Sequence, residues 1–258
     1  MPADSLRTAG GAWTPELSTG ERLKQALIPP RLYIHYLYEK ALRRGEAELA
    51  LLPRLADAKR ASLDVGANRG IYTYALLKCS ATVHAFEPNP KLFAFLSRWA
   101  EGRAQLHSFA LGDHAGTMAL NIPMSSRGRG YSNQGGTLLP VTREFRSMPV
   151  EVKRLDDLDL GDVGFIKVDV EGYEREVLAG GAALLRHCRP VLLVELEEKH
   201  TQRPLPDMVA EICGYGYECF YLRNGDLHPF AELDVERQHR SPARRADYVF
   251  NFIFRPIA

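Results

Sequence analysis

Two acidic residues, each at the end of a short apolar run, are the first candidates for chemistry. Asp64 ends one run, Gly66 and Gly70 follow it, and Glu87 ends the next run, 23 positions after Asp64. Gly66 lets the backbone approach a ligand, and an acid at the end of a second strand accepts hydrogen bonds from a ribose diol. The pattern predicts a nucleoside-binding crevice. A chance acid at a strand end remains the structural alternative.

The spacing of the glycines distinguishes two cofactor classes. A dinucleotide site requires G-x-G-x-x-G, whereas this chain has Asp64-x-Gly66-x-x-x-Gly70. A carboxylate at the strand end repels a diphosphate and attracts a cation. The pattern therefore favours S-adenosylmethionine over NAD. An NAD(P)-dependent oxidoreductase on a Rossmann fold and a non-catalytic binding module of the same fold remain alternatives.

A second group of titratable residues lies further along the chain. Asp169 and Glu171 alternate with apolar residues at the end of a predicted strand, Glu195 ends the next strand, and His200 follows shortly after it. Methyl transfer to a hydroxyl requires a proton acceptor in the same crevice, for which Asp169, Glu195 and His200 are the candidates. Glu171 fits either the substrate side of the crevice or the N-terminus of the following helix.

A divalent metal is an alternative activator for the acceptor. Asp169 and Glu195 on neighbouring strands offer oxygen ligands to Mg2+. The sequence fixes no third ligand, so metal dependence is not favoured and no metal site is predicted.

The segment from about 122 to 150 has no clear periodicity and is predicted to be a substrate loop. Arg127 and Arg129 suit a phosphate or a carboxylate, while Tyr131 and Asn133 suit stacking on a sugar or hydrogen bonding to it. An exposed loop with solvated charges is the alternative.

These residues require a sheet to position them. After residue 58, short apolar runs alternate with helical periodicity, which is typical of βαβ units and a parallel sheet. Strands are predicted at 61–65, 81–86, 105–110, 164–170, 190–195, 217–222 and 248–254. The sequence thus indicates an α/β domain over residues 59–258.

Residues 1–58 are predicted to form a partly helical N-terminal extension. The first 30 residues show little periodicity and are expected to be poorly ordered or loosely docked, and two short amphipathic helices follow. The helices suit packing, self-association or a lid over a pocket.

Composition excludes several classes of protein. The chain of 258 residues is 45% hydrophobic and 25% charged, which is typical of a globular domain. With 33 Lys and Arg against 32 Asp and Glu, the net charge of +1 provides no global field for nucleic acid. No apolar run reaches the roughly 20 residues of a membrane span, and the N-terminus lacks a signal pattern. We therefore expect a cytoplasmic protein.

Four motifs in order resemble the FkbM family of S-adenosylmethionine-dependent methyltransferases. They are Leu63-Asp64-Val65-Gly66-Ala67-Asn68-Arg69-Gly70, Phe86-Glu87-Pro88-Asn89-Pro90, Ala110-Leu111-Gly112-Asp113 and Ile166-Lys167-Val168-Asp169-Val170-Glu171-Gly172-Tyr173-Glu174. The resemblance implies a Rossmann-like, seven-stranded class I methyltransferase sheet of order 3-2-1-4-5-7-6, with the last strand antiparallel. It also implies O-methylation of a sugar, glycan or polyketide-type natural product.

The resemblance assigns the cofactor to Asp64, Gly66, Ala67, Asn68, Gly70, Glu87, Pro88, Ala110, Asp113 and Asp169. The first strand end would surround the methionine part and Glu87 would bind the ribose hydroxyls. Pro88 and Ala110 would flank the adenine. Asp113 fits either an adenine contact or an ordinary turn.

Overall fold

The computed structural model describes residues 15–44, 46–123, 136–140 and 145–257. In that part of the chain the α-helices are α1 (Thr19–Leu27), α2 (Pro30–Arg44), α3 (Leu52–Leu55), α4 (Ile71–Leu76), α5 (Pro90–Ala100), α6 (Glu174–Ala179), α7 (Ala182–Cys188), α8 (Glu198–Thr201) and α9 (Leu205–Cys213). The strands are β1 (Ala61–Val65), β2 (Thr82–Phe86), β3 (Gln105–His107), β4 (Ala110–Leu111), β5 (Gly116–Pro123), β6 (Phe145–Lys153), β7 (Val163–Val168), β8 (Val191–Glu195), β9 (Tyr217–Arg223), β10 (Asp226–Pro229) and β11 (Asn251–Pro256).

The main sheet has the order β10-β9-β11-β8-β7-β1-β2-β3. β11 runs antiparallel to both β8 and β9, whereas the strands from β8 to β3 pair in parallel. The predicted class I order is therefore confirmed for seven strands.

The predicted strand count is wrong, because β10 adds an eighth strand beyond β9. Asn224 and Gly225 connect the two strands, and both have positive φ. That backbone suits a two-residue hairpin turn, for which Asn-Gly is the preferred sequence. The signal for β10 was therefore present in the sequence.

A second sheet, β4-β6-β5, lies beside the main one. β5 and β6 pair antiparallel from Gly116 opposite Val152 to Pro123 opposite Phe145. The predicted loop at 122–150 is wrong at its two ends, because residues 122–123 belong to β5 and 145–150 to β6. In β6, Met148, Val150 and Val152 are buried in alternation with outward residues, the period-2 pattern of a strand with one solvated face.

The predicted third strand, 105–110, is likewise divided between the sheets. β3 ends at His107, and Ala110 begins β4, which pairs with β6. The chain changes sheets at Ser108 and Phe109, and the sequence does not mark this change because apolar residues stand on both sides of it, at Leu106 and at 109–111.

The two faces of the main sheet carry different cores. Helices α6, α7 and α9 cover one face. The other face is covered by α3, α4 and a short 3-10 turn, Ala47–Leu51, whose leucines pack with Phe165, Leu193 and Ile253. Side chains alternate along a strand, so Lys167 and Glu195 share this second face.

The first 30 residues include a helix that the sequence analysis missed. The Ser18 side chain accepts the Glu21 N–H, and the Glu21 carboxylate accepts the Ser18 N–H. This capping box begins α1. The Ser-x-x-Glu signal was readable in the sequence, but the flanking glycines and prolines obscured it. The division into an extension and a domain at residue 58 stays a prediction.

Membrane spans were also sought in the described ranges. None of the helices there is long and apolar enough to cross a bilayer.

Candidate functional site

The loop after β1 lies against the loop after β7. Gly66 has φ +79°, and a Cβ added there would lie 1.8 Å from the carbonyl oxygen of Asp169. Gly70 caps α4 with φ +85°, and its Cβ would lie 2.5 Å from carbons of Leu96 and Trp99. Both positions therefore require glycine. The close neighbours are the Asp169 carbonyl and two side chains of α5, so the predicted approach of a ligand to Gly66 stays a prediction. Between the two glycines, the buried Ala67 donates its N–H to the carbonyl of Phe86.

Glu87 is buried at the end of β2 and faces this loop. Its Oε2 accepts the Asn68 N–H at 2.7 Å, and its Oε1 accepts the Asn89 N–H at 2.8 Å. Burial raises the pKa of Glu87 to about 7, although the two backbone hydrogen bonds oppose the shift. Each carboxylate oxygen keeps a lone pair, so Glu87 retains the capacity to accept from a diol.

Asp64 lies deeper than the strand-end position suggested. It is buried, it accepts a hydrogen bond from the Thr73 hydroxyl of α4, and burial raises its pKa to about 6. The carboxyl therefore lies at the base of the crevice, and its role toward a cofactor stays a prediction.

The residues predicted to flank the adenine lie on both sheets. Pro88 is half-buried beside Glu87, whereas Ala110 is buried in β4. Asp113, about half-exposed, has an Oδ1 2.7 Å from the ring nitrogen of His114. The preceding Gly112 approaches the α6–α7 junction so closely that a Cβ on Gly180 would lie 1.9 Å from its carbonyl oxygen.

A buried lysine organises the acids at the end of β7. The side chain of Lys167 is 2% exposed, and its Nζ lies 3.7 Å from Asp169 Oδ2 and 3.3 Å from the Val168 carbonyl oxygen. Burial lowers the pKa of Lys167, but the nearby carboxylates, first Asp169 and then Glu195, outweigh that effect and raise it. Burial and the charge of Asp169 raise the pKa of Glu195.

His200, in α8, reaches the same edge of the sheet. Its Nε2 lies 3.1 Å from Glu171 Oε2 and 3.8 Å from Glu197 Oε1. The nearby Glu197 carboxylate, followed by the charge of Glu171, raises the pKa of His200, although burial opposes the shift. Burial and the charge of Asp169 raise the pKa of Glu171. Because Nε2 faces two carboxylates, we assign the proton to it, which leaves the lone pair of the neutral ring on Nδ1.

The capping alternative for Glu171 does not match the observed helix start. Helix α6 begins at Glu174, whose Oε1 accepts the N–H groups of Val170 and Gly172 at 3.1 and 3.0 Å. Glu174 thus holds the turn, while Glu171 has φ +53° and pairs with His200.

Sequence reasoning missed four residues of this cluster. Lys167 had a readable signal, because a lysine inside an apolar strand requires buried counter-charges. Glu197 binds Lys199 and the Tyr248 hydroxyl, and its pKa is lowered because these two contacts and the nearby His200 outweigh the effect of burial. Glu46 and Glu48, from the N-terminal extension, also reach the second face.

Glu46 accepts a hydrogen bond from the Tyr72 hydroxyl at 2.8 Å, and its charge is among those that raise the pKa of Lys167. Burial raises the pKa of Glu48 to about 7. No local pattern linked these acids to β7, because the fold brings them together from more than 100 residues away.

A pocket opens next to the Glu171–His200 pair, on the face covered by α6 and α9. Gly172 and Thr201, each adjacent in sequence to one member of the pair, contribute to its wall. The remaining lining residues are Leu139, Glu174, Arg175, Glu176, Leu178, Leu196, Arg203, Met208, Glu211, Ile212 and Tyr215. Its mainly apolar wall suits the apolar part of a small organic ligand.

The predicted substrate residues Arg127, Arg129, Tyr131 and Asn133 lie outside the described residues. Within the described ranges, no three His, Cys, Asp or Glu residues are arranged to hold a metal ion.

Comparisons with known proteins identify the family. The model of the Methyltransferase FkbM domain matches residues 64–219, more than half of the chain. Methyltransferase 1 of Beauveria bassiana is 30% identical over 141 residues, which cover 46% of this chain and 57% of the relative. The 31-O-demethyl-FK506 methyltransferase FkbM of Streptomyces tacrolimicus is 28% identical over 211 residues, 69% of this chain and 75% of the relative.

Among solved structures, methyltransferase FkbM of Methylobacillus flagellatus aligns with a TM-score of 0.48 and 16% identity, covering 77% of this chain and 44% of that one. The chain thus spans little more than half of the Beauveria bassiana relative and less than half of this structure. The family match includes the loop after β1, Glu87 and the acids of β7 and β8, and on that evidence this chain belongs to the FkbM methyltransferase family.

Proposed function

We propose that this protein transfers the methyl group of S-adenosylmethionine to a hydroxyl of a sugar, glycan or polyketide-type natural product, in the cytoplasm. One observation carries the proposal. Glu87, which keeps free acceptor capacity, and the Glu171–His200 pair lie after parallel strands of one sheet, at the edge where open α/β sheets bind ligands.

The residues present fit the cofactor. Glu87 would accept from the ribose hydroxyls, while Asn68, Gly66 and Ala67 would line the path of the methionine part. Asp64 and Asp169 make the electrostatic surroundings favourable to a cation. When bound, S-adenosylmethionine supplies an electrophilic methyl group, so that its S–CH3 bond breaks as an O–CH3 bond forms.

His200 is our choice of general base. In this arrangement the Glu171 carboxylate accepts a hydrogen bond from Nε2–H of His200 and so orients the ring. The Nδ1 atom of His200 then takes the proton of the substrate hydroxyl. Glu195 suits this role less well, because its raised pKa favours a protonated carboxyl that donates rather than accepts. Asp169, held by Lys167, would face the cofactor.

The neighbouring pocket would hold the part of the acceptor that does not react. Its wall combines leucine and methionine side chains with Arg175 and Arg203, which both donate hydrogen bonds to the Glu211 carboxylate. Positioning of this kind aligns the hydroxyl with the methyl group, which by itself lowers the barrier.

Calorimetry with S-adenosylhomocysteine tests the cofactor assignment. We expect the intact protein to bind and Glu87→Ala to bind at least about tenfold more weakly, because two hydrogen bonds to a charged acceptor are lost. Glu218→Ala, on the exposed part of β9, is the matched control and should bind normally. Equal binding of S-adenosylhomocysteine by all three proteins would show that Glu87 does not bind the cofactor.

The acceptor class has its own experiment. Labelled S-adenosylmethionine is incubated with the protein and a fractionated cell extract, and the labelled product is analysed by mass spectrometry. A methyl ether in a sugar or polyketide product supports the proposal. Label found only on nitrogen would contradict O-methyl transfer.

A further inference from the structure

Helix α1 packs on the protein with its polar side inward. The Glu21 carboxylate lies 3.0 Å from Lys91 Nζ and 3.6 Å from Arg69 Nη2, and the Arg98 guanidinium donates to the side-chain oxygen and carbonyl oxygen of Gln25 at 2.9 and 2.7 Å. An amphipathic helix of a globular protein normally turns its apolar stripe toward the core. In α1 the orientation is reversed.

The apolar side of α1 consequently faces solvent. Leu23 and Leu27, one helical turn apart, are 60% and 71% exposed. Exposed apolar residues continue into α2, and together they form the N-terminal apolar face: Leu23, Leu27, Ile28, Leu32 and Tyr36. Of the seven large apolar side chains exposed in the described part of the chain, these are five. A concentration of this kind marks an interaction surface.

Basic residues lie near this face in sequence. Arg22 and Lys24 flank Leu23, Arg31 precedes Leu32, and all three basic residues are exposed. Residues 16–44 contain six Lys and Arg against three Glu, a balance of +3 within a chain whose total is +1. The segment that carries the apolar face is therefore net positive.

We propose that the N-terminal apolar face binds an anionic lipid surface. The apolar side chains would enter the interfacial region while Arg22, Lys24 and Arg31 contact lipid phosphates, the arrangement of an in-plane amphipathic helix. A second copy of the chain fits less well. A two-fold contact through this face would place identical cations near one another. A second copy, as the predicted self-association through these helices would require, is the alternative that the test must exclude.

The lipid contact would lie next to the crevice. Glu21 connects α1 to Arg69, which lies between Asn68 and Gly70 in the loop after β1. This position would bring a membrane-borne, amphiphilic acceptor close to the methyl donor. That consequence rests on the proposed function, whereas the lipid contact itself does not.

Vesicle flotation of the full chain tests the proposal. We expect binding to vesicles of phosphatidylglycerol and phosphatidylcholine, weakening with added salt, and little binding to phosphatidylcholine alone. Leu27→Glu should bind at least about tenfold more weakly, and Lys24→Gln about fivefold more weakly. Ile257→Glu changes an exposed apolar residue outside the face and should bind like the intact protein.

Equal binding by Leu27→Glu and the intact protein, or the absence of binding to anionic vesicles, would overturn the proposal. If sedimentation instead shows a dimer that Leu27→Glu dissociates, a second copy covers the face. Binding of S-adenosylhomocysteine, measured on the same samples, should be unchanged in every variant. It therefore separates a failure of the lipid contact from a failure of the methyltransferase assignment.

Discussion

The two sides of the crevice are built in different ways. On the side that we propose for the cofactor, called the cofactor side and formed by residues 64–70 and Glu87, carboxylates accept hydrogen bonds from backbone N–H groups or a neighbouring hydroxyl, and glycines set the spacing. On the side that we propose for the acceptor, called the acceptor side and formed by the ends of β7 and β8 with α8, side-chain charges hold one another. Lys167 faces Asp169 there, and His200 faces Glu171.

This difference predicts how each side of the crevice responds to amino-acid substitutions. A site made of backbone contacts depends on shape, so substitutions act through steric conflict. A site made of paired charges depends on balance, so removal of one partner leaves another charge uncompensated in a poorly solvated place. The variants below separate these two kinds of dependence.

Removal of the charge of Lys167 should have the largest effect. Lys167→Met leaves Asp169 and its neighbours without their buried cation, and we expect the free energy of unfolding to fall by about 3–5 kcal/mol in urea titrations. Lys199→Met, which removes an exposed lysine, should cost about 1 kcal/mol or less. The double variant Lys167→Met/Asp169→Asn should recover part of the loss. Equal losses for the two lysines would contradict the charge-balance account.

On the cofactor side, Gly66→Ala tests shape. A methyl group there meets the Asp169 carbonyl oxygen, and the positive φ adds strain, so we expect a loss of about 3 kcal/mol and weaker binding of S-adenosylhomocysteine. Gly161 has φ +69° with nothing within 4 Å of its added Cβ. Gly161→Ala should therefore cost only about 1–2 kcal/mol from backbone strain. Equal costs would mean that the close approach is unimportant.

Substitutions on the acceptor side should change the pH dependence of turnover. The pKa of His200 is raised, so its neutral, proton-accepting form is lost as pH falls through a value above the ordinary one for histidine. Glu171→Gln removes one of the charges that raise this pKa, and the acidic limb of kcat should move to lower pH. His200→Ala should lower kcat by about 100-fold while leaving cofactor affinity unchanged. If the acidic limb of the kcat profile lies at the same pH in Glu171→Gln and in the intact protein, Glu171 does not act on the general base.

The smallest effect is expected at Asp113, where the sequence left two alternatives. Its partner in the structure is the exposed His114, so Asp113→Ala should cost about 0.5 kcal/mol or less. Calorimetry with S-adenosylhomocysteine distinguishes the alternatives. Unchanged affinity would support the turn, whereas a loss of tenfold or more would support the adenine contact.

Much of the fold was predictable, because the strands are marked by local patterns. The alternation of short apolar runs and helices predicted the parallel sheet, and β1 was predicted to the residue. The missed elements had weaker or competing signals. β6 contains a proline, β10 depends on a two-residue turn, and α1 lies between glycines and prolines.

The site was predictable only where its contacts are local. Glu87 accepts hydrogen bonds from the backbone of Asn68 and Asn89, within 19 residues of it, and all three residues lie in motifs that the sequence analysis singled out. Binding of a cofactor by these residues stays a prediction. His200 and Glu171 were both candidates, but their pairing and the hydrogen bonds by which Glu174 holds the turn before α6 were not evident from the sequence.

The sequence by itself determined the two glycines of the loop after β1 and the acids at the ends of β1 and β2, since these depend on spacing within one βαβ unit. The strand order followed from the resemblance to the FkbM family. Only the tertiary structure decided which acids meet a positive charge and which side of α1 faces outward. Those choices depend on distances between residues remote in the chain, and burial then sets the pKa of each group that the fold encloses.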